Sequence, residues 1–300
     1  MPRIFAPALL LVEIVACAGA HAHEIRQDQG PDSAVTLPMH WFGKKPVIEA
    51  KINGKGPYQF FFDTGAQGTV LGLDLVEELR LRVVGKGEVT SPGGKGIPSK
   101  EVRFGLEVGG LSVKDVSAFA FDRARLYRDP AAPKGVLSPR VFSGYLVIFD
   151  FPRERFLIRK GELPAADDVT IFECDRKQPI PAIPIDVAGR KVFAHVDTGA
   201  PGGLTLPLSM ASQLPLAGKP TVIGRGRRVD REVVVYGAKL QGQIKLGRYA
   251  LENPSVRFVE GPSSDGNIGS DILRRFALTF DAKNFRIGLD EPKKKSPGSG

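Results

Sequence analysis

Apolar positions along this chain fall into short alternating or continuous runs, separated by breaks rich in glycine, proline and asparagine. The order of those runs occurs twice. In the first half, residues 47–52 alternate, Asn53-Gly54 and Gly56-Pro57 signal a turn, and 58–62 form an aromatic β-prone run. In the second half, 183–187 alternate, Ala188-Gly189 turns the chain, and 192–196 form the matching run. Each matching run is followed, after a small-residue break, by a short apolar strand (69–71 and 204–206) and then a helical pattern. Asp74 with Glu77 reads as a capping-box start for the first helix, with Leu75, Val76 and Leu79 as its apolar face. Pro207 opens the second, with Leu208, Ala211 and Leu214 inward. Many short strands and few short helices follow from this pattern, and 35 Gly and 24 Pro supply the turns it needs.

The breaks after residues 62 and 196 contain the same tetrapeptide, Asp63-Thr64-Gly65-Ala66 and Asp197-Thr198-Gly199-Ala200. The repeats also agree near their ends, where Gly135-Val136-Leu137-Ser138 precedes 147–150, and Gly266-Asn267-Ile268-Gly269 precedes 278–281. Both spacings are 15 residues (150 − 135 and 281 − 266), and the tetrapeptides lie 197 − 63 = 134 residues apart. A duplicated unit predicts two lobes related by a pseudo-twofold axis. One Asp-Thr-Gly after a strand is an ordinary turn sequence. Two in matched surroundings bring a pair of carboxylates together.

These residues resemble the aspartic peptidases of retropepsin-like fold, over most of 40–291. The resemblance implies a mainly β chain of two pseudo-twofold-related β-barrel lobes with short helices and a cleft between them. It places lobe one at 36–162 and lobe two at 170–291, and it implies aspartic endopeptidase activity on a polypeptide held in the cleft. Asp63 and Asp197 would be the catalytic pair, braced by Thr64, Gly65 and Ala66 and by Thr198, Gly199 and Ala200. The family's apolar-apolar-Gly segment is Asn267-Ile268-Gly269 in lobe two, with Asn in the first apolar position. In lobe one it is Val136-Leu137-Ser138, which lacks the glycine.

Two carboxylates within hydrogen-bonding distance share one proton, so one can act as base on a water and the other as acid toward a carbonyl oxygen. Neither a metal nor a cofactor is needed. Alanine after each glycine provides no hydroxyl donor to the carboxylates. The expected activity optimum is therefore mildly acidic to near neutral. An exported peptide-binding or regulatory protein that keeps the cleft without turnover is the alternative, and Ser138 is the residue that favours it.

The net charge is +9, and Arg225, Arg227, Arg228 and Arg231 concentrate part of it in lobe two. That stretch, with Gly226, is the candidate flap of lobe two, and Gly93, Gly94 and Gly96 form its counterpart in lobe one. Basic flaps over a cleft would favour acidic substrates, although a solvated basic loop has the same sequence. The charge is not interleaved with aromatic residues as in nucleic-acid-binding surfaces. Residues 1–22 read as a signal peptide and predict export to the periplasm or outside the cell; Cys17 also fits a lipidation site that would attach the chain to a membrane. Residues 164–168 read as an interlobe linker, and the tail 292–300 as a disordered basic segment. Cleavage after Ala20 would expose His21-Ala22-His23, which suits copper or nickel but equally a leader remnant. Cys174 reads as a buried small residue, and His195, two residues before Asp197, as a strand histidine near the site. A two-lobed chain needs no second copy to complete its site, so a monomer is expected.

Overall fold

The computed structural model describes residues 34–91, 94–176, 180–261, 263 and 265–291, with the backbone of 9–10, 15–16 and 25–27. Most of the expected signal peptide, Cys17, the His21-Ala22-His23 segment, Gly93 of the candidate flap and the tail 292–300 lie outside the described residues.

Each lobe is built on one ten-stranded sheet. In lobe one, strands Lys45–Ile52 and Lys55–Phe62 form a hairpin that ends at Asp63. The second of these strands pairs in parallel with Gly135–Leu137, through Val136↔Phe61 and Leu137↔Phe62. Lobe two repeats the arrangement: Ala182–Val187 and Arg190–Val196 form the hairpin, and Gly266–Ile268 pairs through His195↔Asn267 and Val196↔Ile268. Both sheets curl back on themselves, at Leu106↔Ile52 in one lobe and Asp186↔Lys245 in the other.

The period-two alternation of strands explains why Phe60, Phe61 and Phe62 can follow one another. Phe62 points into the main core, where it meets Phe142, Phe149 and Phe156 at ring distances of 6.2, 4.8 and 5.2 Å. Phe61 points to the opposite face, where Val47, Val70, Phe119 and Val136 form a separate cluster. Each fully buried aromatic of this kind contributes about 1.5–3 kcal/mol. The strand is thus anchored one residue before the carboxylate it presents.

A six-stranded sheet joins the lobes. Its central pair is Tyr145–Asp150 against Ala277–Asp281, flanked by Arg155–Lys160 and Arg286–Asp290, and edged by Val35–Pro38 and Ile171–Glu173. In this sheet Ile148 lies opposite Thr279. Those residues are 279 − 148 = 131 apart, the same offset as the repeat landmarks 281 − 150 = 131, so each strand meets its own counterpart and the pseudo-twofold axis passes between them.

Two local expectations need correction. Asp74 does not cap helix Leu73–Leu79, whose N-cap is Gly72; it accepts from Arg123 Nε at 3.1 Å and Lys134 Nζ at 3.0 Å, two cations that the fold brings to it from 49 and 60 residues along the chain. The second helical pattern forms a 3₁₀-helix, Leu208–Gln213, rather than an α-helix. The linker is tightly held: Asp167 Oδ1 accepts the N–H groups of Ile171, Thr170 and Val169 at 2.8, 2.7 and 2.8 Å. Those bonds hold its carboxyl far below the usual range.

Candidate active site

The two tetrapeptide loops meet on the pseudo-twofold axis, and both carboxylates are buried. Asp63 N–H donates to Leu137 O at 3.1 Å and Asp197 N–H to Ile268 O at 3.0 Å, so each loop hangs from the short strand late in its own lobe. Gly65 N–H donates to Asp63 Oδ1 at 2.8 Å, and Ala200 N–H to Asp197 Oδ1 at 2.9 Å.

The threonines cross between lobes. Thr198 Oγ1 donates to Phe62 O at 2.9 Å and accepts from Thr64 N–H at 3.0 Å. Thr64 Oγ1 donates to Val196 O at 2.6 Å and accepts from Thr198 N–H at 3.1 Å. Every donor and acceptor in this square is buried and used.

The glycines are required by close approach. A Cβ on Gly65 would lie 2.6 Å from Asp197 Cγ, and one on Gly199 would collide with the Asp63 carboxylate. Each loop therefore covers the carboxylate of the other lobe with bare backbone.

Ser138 fits without displacing the loop. Its hydroxyl donates to Ala66 O at 2.7 Å, whereas a Cβ on its lobe-two counterpart Gly269 would lie 2.6 Å from Ala200 O. Lobe one has made room and gained a bond, and Asp63 hangs from its strand as Asp197 does. Ser138→Gly is expected to cost about 1–2 kcal/mol in thermal unfolding, from the lost buried bond and the added freedom of the unfolded chain.

Two side chains break the symmetry. Asn267 Nδ2 donates to Asp197 Oδ2 at 2.8 Å; its counterpart in lobe one is Val136, which has no polar group to offer Asp63. Lys45 is 6 % exposed and lies with its ammonium 5.3 Å from the Phe61 ring centre and 5.8 Å from that of Tyr127. By strand register its counterpart is the buried Ile180. Burial lowers the Lys45 pKa to about 8, against the pull of Asp63 and Asp197 in the other direction. Burial raises Asp63 above the ordinary carboxylate range, and it outweighs Lys45 and the hydrogen bonds from Gly65, Asp197 and Gly199, which act the other way.

Hairpins from both lobes cover the site. In lobe one, Val83–Thr90 pairs with Ile97–Val108, and Gly94 and Gly96 lie in the connection. In lobe two, Thr221–Arg227 pairs with Glu232–Lys239. The expected flap residues Arg225, Gly226 and Arg227 lie on that first strand, so the tip itself is 228–231. Val229 inserts into the cluster around Phe61. Asp230 accepts from Ser91 Oγ and, at 3.1 Å, from Lys95 N–H, so the two tips are latched to each other. Arg227 sits 3.5 Å from Glu232, which offsets the free positive charge expected of this loop.

His195 is buried, with Nε2 3.9 Å from Asp265. Cys174 is buried, and burial pushes its thiol up to about 12, which disfavours the thiolate. Among the described residues no three His, Cys, Asp or Glu side chains converge to hold a metal ion.

Sequence reasoning placed the tetrapeptides together but gave Asn267, Lys45 and Tyr127 no part in the site. Asn in an apolar frame at position 267 was the available signal for the first. Lys45 had a weaker one, a cation at the head of a strand whose following residues are apolar.

A family model described as aspartyl protease matches this chain twice, over residues 48–138 and 183–272, each match containing one tetrapeptide. No curated protein matches the chain.

Proposed function

From the aspartyl protease family, to which this chain belongs, we propose that it is an aspartic endopeptidase in which Asp63 and Asp197 together activate a water. The observation that carries the reading is the crossed packing of Gly65 and Gly199 against opposite carboxylates, which gathers two buried acids at one point. A binding module gains nothing from that crowding. Ser138, the residue that favoured such a module, is accommodated by its bond to Ala66.

The asymmetry assigns roles. The pair shares one proton, and we take Asp197, to which Asn267 donates, as the ionised partner and Asp63, which burial raises against the pull of Lys45, as the protonated one. Asp197 then takes a proton from water as the water oxygen bonds to the scissile carbonyl carbon, and the Asp63 proton passes to the carbonyl oxygen. Collapse of the tetrahedral species returns a proton from Asp197 to the leaving amine as the C–N bond breaks, and the hydroxyl proton returns to Asp63. Residues 9–10 and 15–16 pair with the outer flap strands at Gly226 and Arg227 and at Val89 and Thr90, so removal of the leader would free those edges for the substrate main chain.

The test is digestion of an unbiased peptide library by leader-free protein from mildly acidic to neutral pH, beside Asp63→Asn and Asp197→Asn. Cleavage lost in both variants supports the reading; an intact fold that cuts nothing overturns it. Asn267→Val is expected to move the acid limb of the pH–rate profile up by about one unit, because a hydrogen bond to a charged group contributes about 1.5–3 kcal/mol. A limb that stays in place would assign Asn267 to packing alone. Export through residues 1–22 is part of the proposal, and mass spectrometry of the secreted or periplasmic chain should find an N-terminus near residue 21 or 23, or a lipidated Cys17.

A further inference from the structure

We propose that Lys45 and Tyr127 form a carboxylate-binding subsite beside the dyad, which selects an acidic side chain in one of the two residues flanking the scissile bond. The inference rests on the peptidase reading only for where the substrate lies.

Lys45, Val47 and Phe61 share one face of the first hairpin, and Asp63 continues that face by period-two alternation. That face is the cleft face, since Val229 of the opposite flap packs into it. The Tyr127 ring stacks on Phe61 at 4.8 Å. The Lys45 ammonium lies 5.3 Å from the Phe61 ring centre and 5.8 Å from that of Tyr127, so the two groups are neighbours, and both carboxylates act electrostatically on each.

Each is a donor with no acceptor. The Tyr127 hydroxyl is shielded from solvent and has no hydrogen-bond partner. The Lys45 ammonium rests on ring faces, and among the described residues no acceptor comes within hydrogen-bonding distance of it. A buried cation resting on aromatic faces, with the dyad carboxylates acting on it only from beyond hydrogen-bonding distance, keeps much of its desolvation cost. An incoming carboxylate would offset that cost through a charge-assisted bond and would accept from the tyrosine as well. An amide of the same shape would gain far less. At the matching position of lobe two stands the apolar Ile180, which cannot donate to a carboxylate. The preference therefore belongs to the side of the bond that lies over lobe one.

The probe is a pair of peptides with a reduced, uncleavable bond, differing only in Glu or Gln beside that bond, tested with the acidic residue on either side. Calorimetric titration of the unmodified chain needs no variant. We expect the Glu form to bind at least tenfold tighter in one of the two positions. Lys45→Met should bring the pair within about twofold, and Tyr127→Phe should narrow the gap by about threefold. Equal binding of Glu and Gln, a preference that survives Lys45→Met in a folded protein, or no binding of either peptide would each overturn the subsite. Cleavage of the natural-bond forms is scored separately. Preference without cleavage keeps the subsite and removes hydrolysis, whereas equal cleavage of both forms removes the subsite and keeps hydrolysis.

Discussion

Asp197→Asn is expected to lower kcat/KM by about 10²–10⁴-fold, the range general acid–base groups supply, while the protein stays folded. An amide can keep the bond from Ala200 N–H but cannot take a proton from water. Asp63→Asn should lose activity to the same extent, since the two carboxylates act as a unit, and the double variant should be little worse than either single one. The Asp63 change should also be visible without substrate. Its folded pKa lies above its unfolded value of about 3.9, so the native state binds more protons than the unfolded chain between those two values. Stability therefore falls as pH rises through that window and stays lower at neutral pH. Asp63→Asn removes that fall, and its melting temperature should gain on the parent's as pH rises from about 4 to 7. A pH-independent difference between the two would mean that the carboxyl titrates normally.

Thr198→Val is the second large effect. Valine keeps the shape but leaves Thr64 N–H without an acceptor and Phe62 O without this donor, both inside the interlobe contact. Unpaired buried groups cost about 1–3 kcal/mol each. The sum is a large share of the roughly 5–15 kcal/mol that holds a typical domain folded. Chemical denaturation should show the midpoint falling, and activity should fall further than stability because the square also sets the distance between the loops. Thr64→Val should behave in the same way, as the bonds are reciprocal. A change under about 0.5 kcal/mol would mean that the lobes are held together by the six-stranded sheet alone.

Much of this molecule was legible in its sequence because duplication makes each half a check on the other. The hairpin–tetrapeptide–strand order of each lobe follows from alternation and turn residues, which are local signals. The Asp74 cap failed because a side chain with two cations in reach satisfies those rather than a helix end, and the cations come from positions 123 and 134, far along the chain. The flap tip was placed a few residues early because glycine marks turns in sequence, whereas the strand pairing runs through Gly224 and Gly226 and turns only after Arg227. Asn267 and Lys45 stand where their counterparts are apolar, and only the assembled cleft shows what they face.

The self-pairing of the central sheet, with Ile148 opposite Thr279, is the register a pair of identical half-chains would adopt. Identical halves would have to carry Asn267 and Lys45 twice, one set for each carboxylate. Tethering the halves through the pinned 164–168 segment removes that restriction, and each side of the cleft becomes free to diverge. The tether also replaces association between molecules by a high local concentration within one. Activity per chain should therefore be insensitive to dilution, down to concentrations at which a dimer of half-chains would come apart.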